Sequence, residues 1–144
     1  MPLIKLVSDP LTEAIIAGAI AVHEEVGPGL LEGIYERCLA IELGARGLKV
    51  ETERTLPLIY RGVLLDCEYR LDLIVDDKVI VEVKAVQALH PVFQAQVITY
   101  LRLTGISVGL LLNFNVPVMK QGIRRIEHPD EYKKKKGLPS PLLL

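Results

Sequence analysis

The fold of this chain is decided by one apolar stretch, Val79-Ile80-Val81-Glu82-Val83-Lys84-Ala85-Val86, which carries a single glutamate and a single lysine. A run this short and this rich in β-branched residues predicts a strand that is covered on both faces. Side chains two residues apart on a strand share one face, so Glu82 and Lys84 are expected to point the same way. Because desolvating an ionised group is costly, both side chains need a partner or a metal ion.

A second carboxylate precedes this strand in Tyr69-Arg70-Leu71-Asp72-Leu73-Ile74-Val75. The turn residues Asp76-Asp77-Lys78 join the two segments and predict a β-hairpin. The hairpin would bring Asp72 close to Glu82 and Lys84. Two carboxylates and a lysine on adjacent strands predict a metal-dependent centre that cuts phosphodiester bonds.

The composition predicts one soluble globular domain. The chain has 144 residues, of which 50% are hydrophobic and 24% are charged. The longest apolar stretches, 14–22 and 108–112, are too short to cross a bilayer, and the N-terminus has no signal-peptide pattern. We therefore expect a cytoplasmic protein without a membrane partner, and two buried free thiols at Cys38 and Cys67.

The charge distribution argues against strong electrostatic attraction of nucleic acid. The net charge is −1, and Lys133 to Lys136 supply four positive charges, so the rest of the chain carries −5. Proteins that hold DNA by neutralising phosphates usually have a basic face. We expect a folded domain over residues 1–128 and a Lys/Pro-rich C-terminal tail over 129–144.

The order of predicted elements is α-α-β-β-β-β-α-β-β, which is typical of an α/β fold (an α+β mixed sheet) with helices on its faces. The predicted helices span 10–26, about 31–46 and 91–104. The predicted strands span 49–53, 56–60, 63–75, 79–86, 107–112 and 122–127. Pro57 indicates an edge position for 56–60. Alternation within 63–75 predicts one apolar core face, with Leu71 and Leu73 on it, and one polar face, with Arg70 and Asp72 on it.

The pair formed by Asp72 and Glu82-Val83-Lys84 resembles the PD-(D/E)XK nuclease superfamily, with Leu71-Asp72 in place of the usual Pro-Asp. Gly29-Leu30-Leu31-Glu32-Gly33-Ile34-Tyr35 resembles the motif of the GxxExxY proteins, a bacterial and archaeal group of that superfamily. The segments 21–29 and 101–105 are also similar to that group, and the resemblance covers roughly residues 10–127. It implies a restriction-endonuclease-like αβββαβ core with an extra N-terminal helix.

The resemblance implies a metal-dependent active site. Asp72, Glu82 and the Val83 carbonyl would bind Mg²⁺ (or Mn²⁺), and Lys84 would orient water or stabilise charge on the phosphate. A helix residue completes the site in many members of the superfamily. Glu36 is favoured, since its spacing to Gly47 is similar to that in archaeal junction resolvases, and Glu32 is the second choice.

Three further residues are candidates for the site. Gln96-x-x-x-Tyr100 resembles a motif of the helicase-associated and exonuclease branch. The glutamine would hold a water or a ligand there, and the tyrosine would contact DNA. Arg70 shares the polar face of Asp72 and could line the cleft, although a salt bridge is the simpler interpretation.

Two functions follow as expectations. The first is a metal-dependent nuclease that hydrolyses DNA phosphodiester bonds, with RNA as a weaker alternative substrate. The second is a non-catalytic oligomeric binding or scaffold module that retains the nuclease fold, in which Glu82 and Lys84 form a structural ion pair. A homodimer is expected, because so small an acidic domain offers little surface for gripping duplex DNA.

Overall fold

The fold is described by a computed structural model that covers residues 9–65 and 69–128. The predicted C-terminal tail and Cys67 lie outside these described residues. Cys38 lies within them and is a half-buried free thiol. No helix in the described part of the chain is both long and apolar enough to cross a membrane.

Within residues 9–65 and 69–128, three α-helices form where the sequence places caps and stops: α1 (Pro10–Val26), α2 (Glu32–Ala45) and α3 (Pro91–Thr104). Asp9 begins α1, because its side chain accepts a hydrogen bond from the Thr12 amide at 2.8 Å, and Pro10 fits the first turn. Gly105 ends α3 in a left-handed conformation with φ of 78°. All three helices were predicted within one residue of these bounds.

The strands form a mixed sheet and a separate hairpin. The sheet contains β1 (Val50–Leu56), β4 (Tyr69–Val75), β5 (Val79–Lys84), β6 (Val108–Asn113) and β7 (Ile123–Glu127), and the hairpin pairs β2 (Ile59–Tyr60) with β3 (Val63–Leu64). The order in the sheet is β1-β4-β5-β6-β7. Strands β5 and β6 are parallel and are joined through α3, whereas every other neighbouring pair is antiparallel. The architecture is the predicted α+β mixed sheet of a restriction-endonuclease-like fold.

Helices cover the sheet on both faces. Val81 and Val83 of β5 belong to the core cluster that contains α1 and α2, whereas Ile80 belongs to the cluster that contains α3. The prediction of a strand covered on both sides is therefore confirmed. Strand β5 therefore contributes buried apolar side chains to both core clusters. Burial of apolar surface is the dominant favourable term in folding.

The predicted boundary between the first two strands was wrong. The structure has one continuous strand, β1, which runs through to Leu56, and Leu56 is only 1% exposed. Leu56 pairs with Tyr69 and packs in the α3 cluster, which holds it in the sheet. The strand ends at Leu56, because Pro57 has no N–H for a ladder hydrogen bond. Leu56 therefore does not belong to the predicted edge segment 56–60, whereas Tyr60 is exposed.

The predicted single core face of 63–75 was also wrong. Leu71 packs in the α3 cluster, whereas Leu73 packs in the cluster of α1 and α2. The alternation breaks at Asp72, where pairing between β1 and β4 skips one position in each strand. The skipped residue of β1 is Glu53, whose φ of 50° departs from strand geometry.

Tyr35 fixes the connection between α1 and α2. Its side chain is fully buried and stacks on Phe114 with ring centroids 4.7 Å apart. Its hydroxyl donates to the Gly27 carbonyl at 2.5 Å and accepts from the Leu30 amide at 3.1 Å. The tyrosine of the Gly29–Tyr35 motif therefore sets the position from which α2 starts.

We expect Tyr35→Phe to lower the free energy of unfolding by about 1–2 kcal/mol, because the Gly27 carbonyl and the Leu30 amide each lose a partner. Urea denaturation followed by circular dichroism measures the change. Tyr60→Phe is the matched control, because Tyr60 is 65% exposed, and its effect should stay within about 0.5 kcal/mol. Equal effects of the two substitutions would contradict the role of the Tyr35 hydroxyl.

Candidate active site

The candidate site lies where β4 and β5 separate. Their pairing ends at Leu73↔Val81, and the next residues in register, Asp72 and Glu82, are not paired. Asp72 Oδ2 instead accepts a hydrogen bond of 2.8 Å from the Val83 amide. A side-chain carboxylate thus satisfies a backbone donor of β5 at the point where the ladder ends.

Glu82 is the most deeply buried carboxylate of the site. It is 4% exposed, and its Oε2 lies 3.4 Å from Lys84 Nζ, so the two side chains share a face as predicted. Its other oxygen, Oε1, is buried and has no hydrogen-bond partner among the described residues. A buried carboxylate oxygen without a partner is costly. The site therefore favours a cation or a donor at that oxygen.

Lys84 is held between a carboxylate and an aromatic ring. Its ammonium lies 4.6 Å from the ring centroid of Phe93 on α3, which gives a cation–π contact in addition to the ion pair. The chain beyond Lys84 is fixed by the buried Asn113, whose side chain hydrogen-bonds both the amide and the carbonyl of Val86. Phe93 was not predicted as a site residue, because an aromatic residue in the first turn of a helix is no specific indication of a site.

Glu36 reaches the site from α2. Its carboxyl lies within hydrogen-bonding distance of the carboxylates of Asp72 and Glu53. Burial, followed by these two neighbours, raises the pKa of Glu36 to about 8. Near neutral pH Glu36 therefore keeps a proton, which reduces the repulsion between its carboxyl group and the carboxylates of Asp72 and Glu53.

The surroundings of Glu82 also raise its pKa. Burial, followed by the negative charge of Asp72, raises the pKa of Glu82 to about 8, although Lys84 opposes this shift. Glu32 adds only a smaller effect at a distance and is exposed at the start of α2. Of the two predicted helix residues, the structure thus places Glu36, and not Glu32, against Asp72.

Helix α3 brings Gln96 and Tyr100 to the same region. Gln96 Oε1 is buried and has no hydrogen-bond partner within the described ranges. Tyr100 is buried and packs edge-on against Tyr69, with ring centroids 6.2 Å apart. Burial, followed by the charges of Glu82 and Asp72, raises the pKa of Tyr100 to about 12. Its hydroxyl is therefore neutral, and little of the ring is available to a bound strand of DNA.

Arg70 forms an ion pair at the rim of the site. Its Nη1 lies 3.4 Å from Glu53 Oε1, and both side chains are about half exposed. The simpler interpretation of Arg70, a salt bridge, therefore describes its position. Beside this pair, an open groove of about 380 Å³ runs between α2 and β1 and is lined by Glu36, Arg37, Ala40, Ile41, Thr52 and Glu53.

The donor set fits a hard divalent cation that keeps most of its own water. In the described part of the chain, no group of three or more His, Cys, Asp or Glu side chains has an arrangement that could hold a metal ion. Asp72 and Glu82 offer carboxylate oxygens, and Oε1 of Glu82 has no hydrogen-bond partner in the ranges that the structure describes. Mg²⁺ typically binds through one or two carboxylates and retains several waters.

A comparison with protein families matches residues 9–126 to the PD-(D/E)XK nuclease superfamily. The matched segment runs from the cap of α1 into β7 and contains Asp72, Glu82 and Lys84. No curated protein and no solved structure matches the chain significantly. Since the family match covers well over half of the 144 residues, the chain belongs to the PD-(D/E)XK nuclease superfamily.

Proposed function

We propose that this protein is a metal-dependent nuclease that hydrolyses DNA phosphodiester bonds at the site formed by Asp72, Glu82 and Lys84. The observation that carries the proposal is the buried Oε1 of Glu82, which has no hydrogen-bond partner among the residues that the structure describes, whereas Oε2 lies 3.4 Å from Lys84 Nζ. Membership of the nuclease superfamily supports the reaction class. The Gly29–Tyr35 motif supports placing the chain in the GxxExxY group.

Asp72, Glu82 and the Val83 carbonyl would hold Mg²⁺ or Mn²⁺, and Glu36 would complete the acidic set. When bound, the cation would polarise the scissile phosphate and lower the pKa of a coordinated water. Glu36 and Glu82 must lose their protons to act as ligands, because carboxylates bind metal in the ionised form.

Lys84 and Gln96 would act on the substrate and on water. The ammonium of Lys84 is fixed by Glu82 and by the Phe93 ring, so it is preorganised to donate hydrogen bonds to the charge that builds up on the phosphate oxygens. The buried Oε1 of Gln96 has no partner among the described residues and is suited to accept a hydrogen bond from the attacking water.

A second candidate function is a non-catalytic oligomeric binding module with the same fold, in which Glu82 and Lys84 form only a structural ion pair. The hairpin of β2 and β3 favours it, since Tyr60, Val63 and Leu64 are each at least 60% exposed and could pair two subunits as a homodimer. The nuclease is preferred, because a purely structural ion pair would leave Glu82 Oε1 buried and unsatisfied.

We expect the wild-type protein to cut labelled DNA in the presence of Mg²⁺ or Mn²⁺. Glu82→Gln should abolish cleavage, and Lys84→Ala should slow it by about 10²–10³-fold, the usual cost of removing one preorganised donor. Single-stranded, double-stranded and branched DNA are assayed beside RNA, so that the same experiment identifies the substrate.

The control for this assay is Glu51→Gln. Glu51 lies on β1 and pairs with the exposed Arg54 at 3.8 Å, outside the site, so its cleavage rate should match the wild type. Cleavage retained by Glu82→Gln would contradict the assignment of the site. A folded wild-type protein that cuts none of the four substrates would favour the binding module.

We expect the stability of the metal-free protein to fall as the pH rises from about 4.5 to about 8. In this window the folded state keeps protons on Glu36 and Glu82 that the unfolded chain has already released, so raising the pH favours unfolding. Added Mg²⁺ should therefore raise the melting temperature more at pH 8.5 than at pH 6, because the ligands are then ionised.

Thermal unfolding followed by circular dichroism, with and without Mg²⁺, measures both effects. Glu82→Gln should lose most of the stabilisation by Mg²⁺ and should show a flatter dependence of the melting temperature on pH. A Mg²⁺-induced shift that is the same at pH 6 and at pH 8.5 would contradict the protonation of these ligands.

A further inference from the structure

The backbone of Glu53 has a conformation that the strand around it does not explain. Its φ is 50°, in the left-handed region, although it lies in the middle of β1. The other non-glycine residues with positive φ in the described ranges, Arg61, Asp76 and Asp77, all lie in turns. Strained backbone of this kind persists only where the surrounding structure requires it, and it clusters at functional sites.

The kink at Glu53 removes Asp72 from the sheet ladder. Pairing between β1 and β4 is regular at Thr52↔Leu73 and again at Arg54↔Leu71, but the position between them is skipped. Pairing between β4 and β5 also stops before Asp72. Asp72 is thus unpaired with both neighbouring strands, and its carboxylate bonds to the Val83 amide at 2.8 Å.

The side chain of Glu53 interacts with Glu36 of α2 and with Arg70 of β4. Its carboxylate lies within hydrogen-bonding distance of Glu36, and its Oε1 lies 3.4 Å from Arg70 Nη1. Asp72 and Glu53 therefore both act on the carboxyl group of Glu36, and Glu36 and Glu53 line the same groove between α2 and β1. A continuous chain of contacts runs from Arg70 through Glu53, Glu36 and Asp72 to the backbone of β5.

Packing of the Glu53 side chain does not account for its strained backbone. The side chain of Glu53 is 52% exposed on an edge strand, and Glu53 belongs to neither core cluster. A residue that buries so little surface gains little from a strained backbone. The kink serves two sets of contacts: it accompanies the change of face that places Leu71 in the α3 cluster, and it leaves Asp72 free to bond to the Val83 amide.

We propose that Glu53 is a positioning residue of the active site. Its backbone kink releases Asp72 from the sheet, and its carboxylate holds Glu36 against Asp72. The inference rests on the proposed function in one respect, namely that Asp72 and Glu36 serve as metal ligands. Glu53 itself acts through these two residues.

Three substitutions separate the backbone from the carboxylate. Glu53→Gly keeps the left-handed conformation accessible and removes the carboxylate. Glu53→Val removes the carboxylate and also disfavours positive φ, because the side chain is β-branched. Glu53→Gln keeps a hydrogen-bonding group of the same length. Glu51→Gln is the matched control on the same strand, with its partner Arg54 at 3.8 Å.

Calorimetric titration with Mn²⁺ gives the first readout. Glu53→Gly should weaken Mn²⁺ binding by about 10–100-fold, the usual effect of losing a residue that orients metal ligands. Glu53→Val should weaken it further, whereas Glu53→Gln should recover part of the loss. Glu51→Gln should bind as the wild type does.

Hydrogen exchange of the Val83 amide, followed by NMR in the metal-free proteins, gives the second readout. In the wild type and in Glu53→Gly this amide should exchange slowly, because it is bonded to Asp72. In Glu53→Val it should exchange faster, because a regular strand would draw Asp72 back into the ladder. Substitution of a residue with a merely structural role would not selectively change the exchange rate of this one amide.

The outcomes separate the two proposals. Mn²⁺ affinities within twofold of the wild type in Glu53→Gly and Glu53→Gln, with binding lost in Glu82→Ala, would overturn the role of Glu53 and leave the nuclease proposal intact. A wild type that binds no Mn²⁺ would overturn the proposed metal site. In that case the exchange rate of the Val83 amide still tests the role of the kink. An unchanged rate in Glu53→Val would overturn that role. Should that variant fail to fold, Glu53→Ala takes its place, because alanine also disfavours positive φ but has no β-branched side chain. Unchanged exchange of the Val83 amide in Glu53→Ala would then overturn the role of the kink.

Discussion

The hydrogen bond from the Val83 amide to the Asp72 carboxylate is the contact on which the site depends. It satisfies a backbone donor of the central strand where the ladder of β4 and β5 ends, and so lets two strands separate inside a closed core without an unpaired amide. The same bond fixes one carboxylate beside Glu82. Glu36 then meets Asp72 from α2, whose starting point is set by the buried hydroxyl of Tyr35.

The site contains buried acidic groups, although burial disfavours their charged form. Glu82 is 4% exposed, and Lys84 satisfies only one of its oxygens. Burial and neighbouring carboxylates raise the pKa of both Glu36 and Glu82 to about 8. Without a cation the protein is therefore less stable at alkaline pH than its apolar core would allow. Perturbed carboxyl groups of this kind are characteristic of functional sites, and stability lost to preorganisation is a usual cost of activity.

Local patterns were enough to predict the helices and the central strand. Asp9, Pro10 and Gly105 act on their own turns, and the β-branched run of β5 indicates burial on both faces without further context. The kink at Glu53 had no such indication, because a glutamate within a strand pattern does not predict positive φ. For the same reason Leu71 and Leu73 were placed on one face. Choosing Glu36 over Glu32 rested on resemblance, and Phe93 entered only through the packing of α3 on β5.

In the proposed function, the acidic character of the site links the binding of the cation to the binding of the phosphate. Asp72 and Glu53 would repel a phosphate, and Glu82 would add to the repulsion once it loses its proton. A single ammonium, that of Lys84, stands against these carboxylates. A divalent cation would reverse this balance at the point where the phosphate must bind, because it is the largest local charge in such a site. Binding of the cation and of the phosphate would therefore be thermodynamically linked, each raising the affinity for the other. The proton held by Glu36 opposes both, so the same carboxyl group would couple pH, metal and substrate.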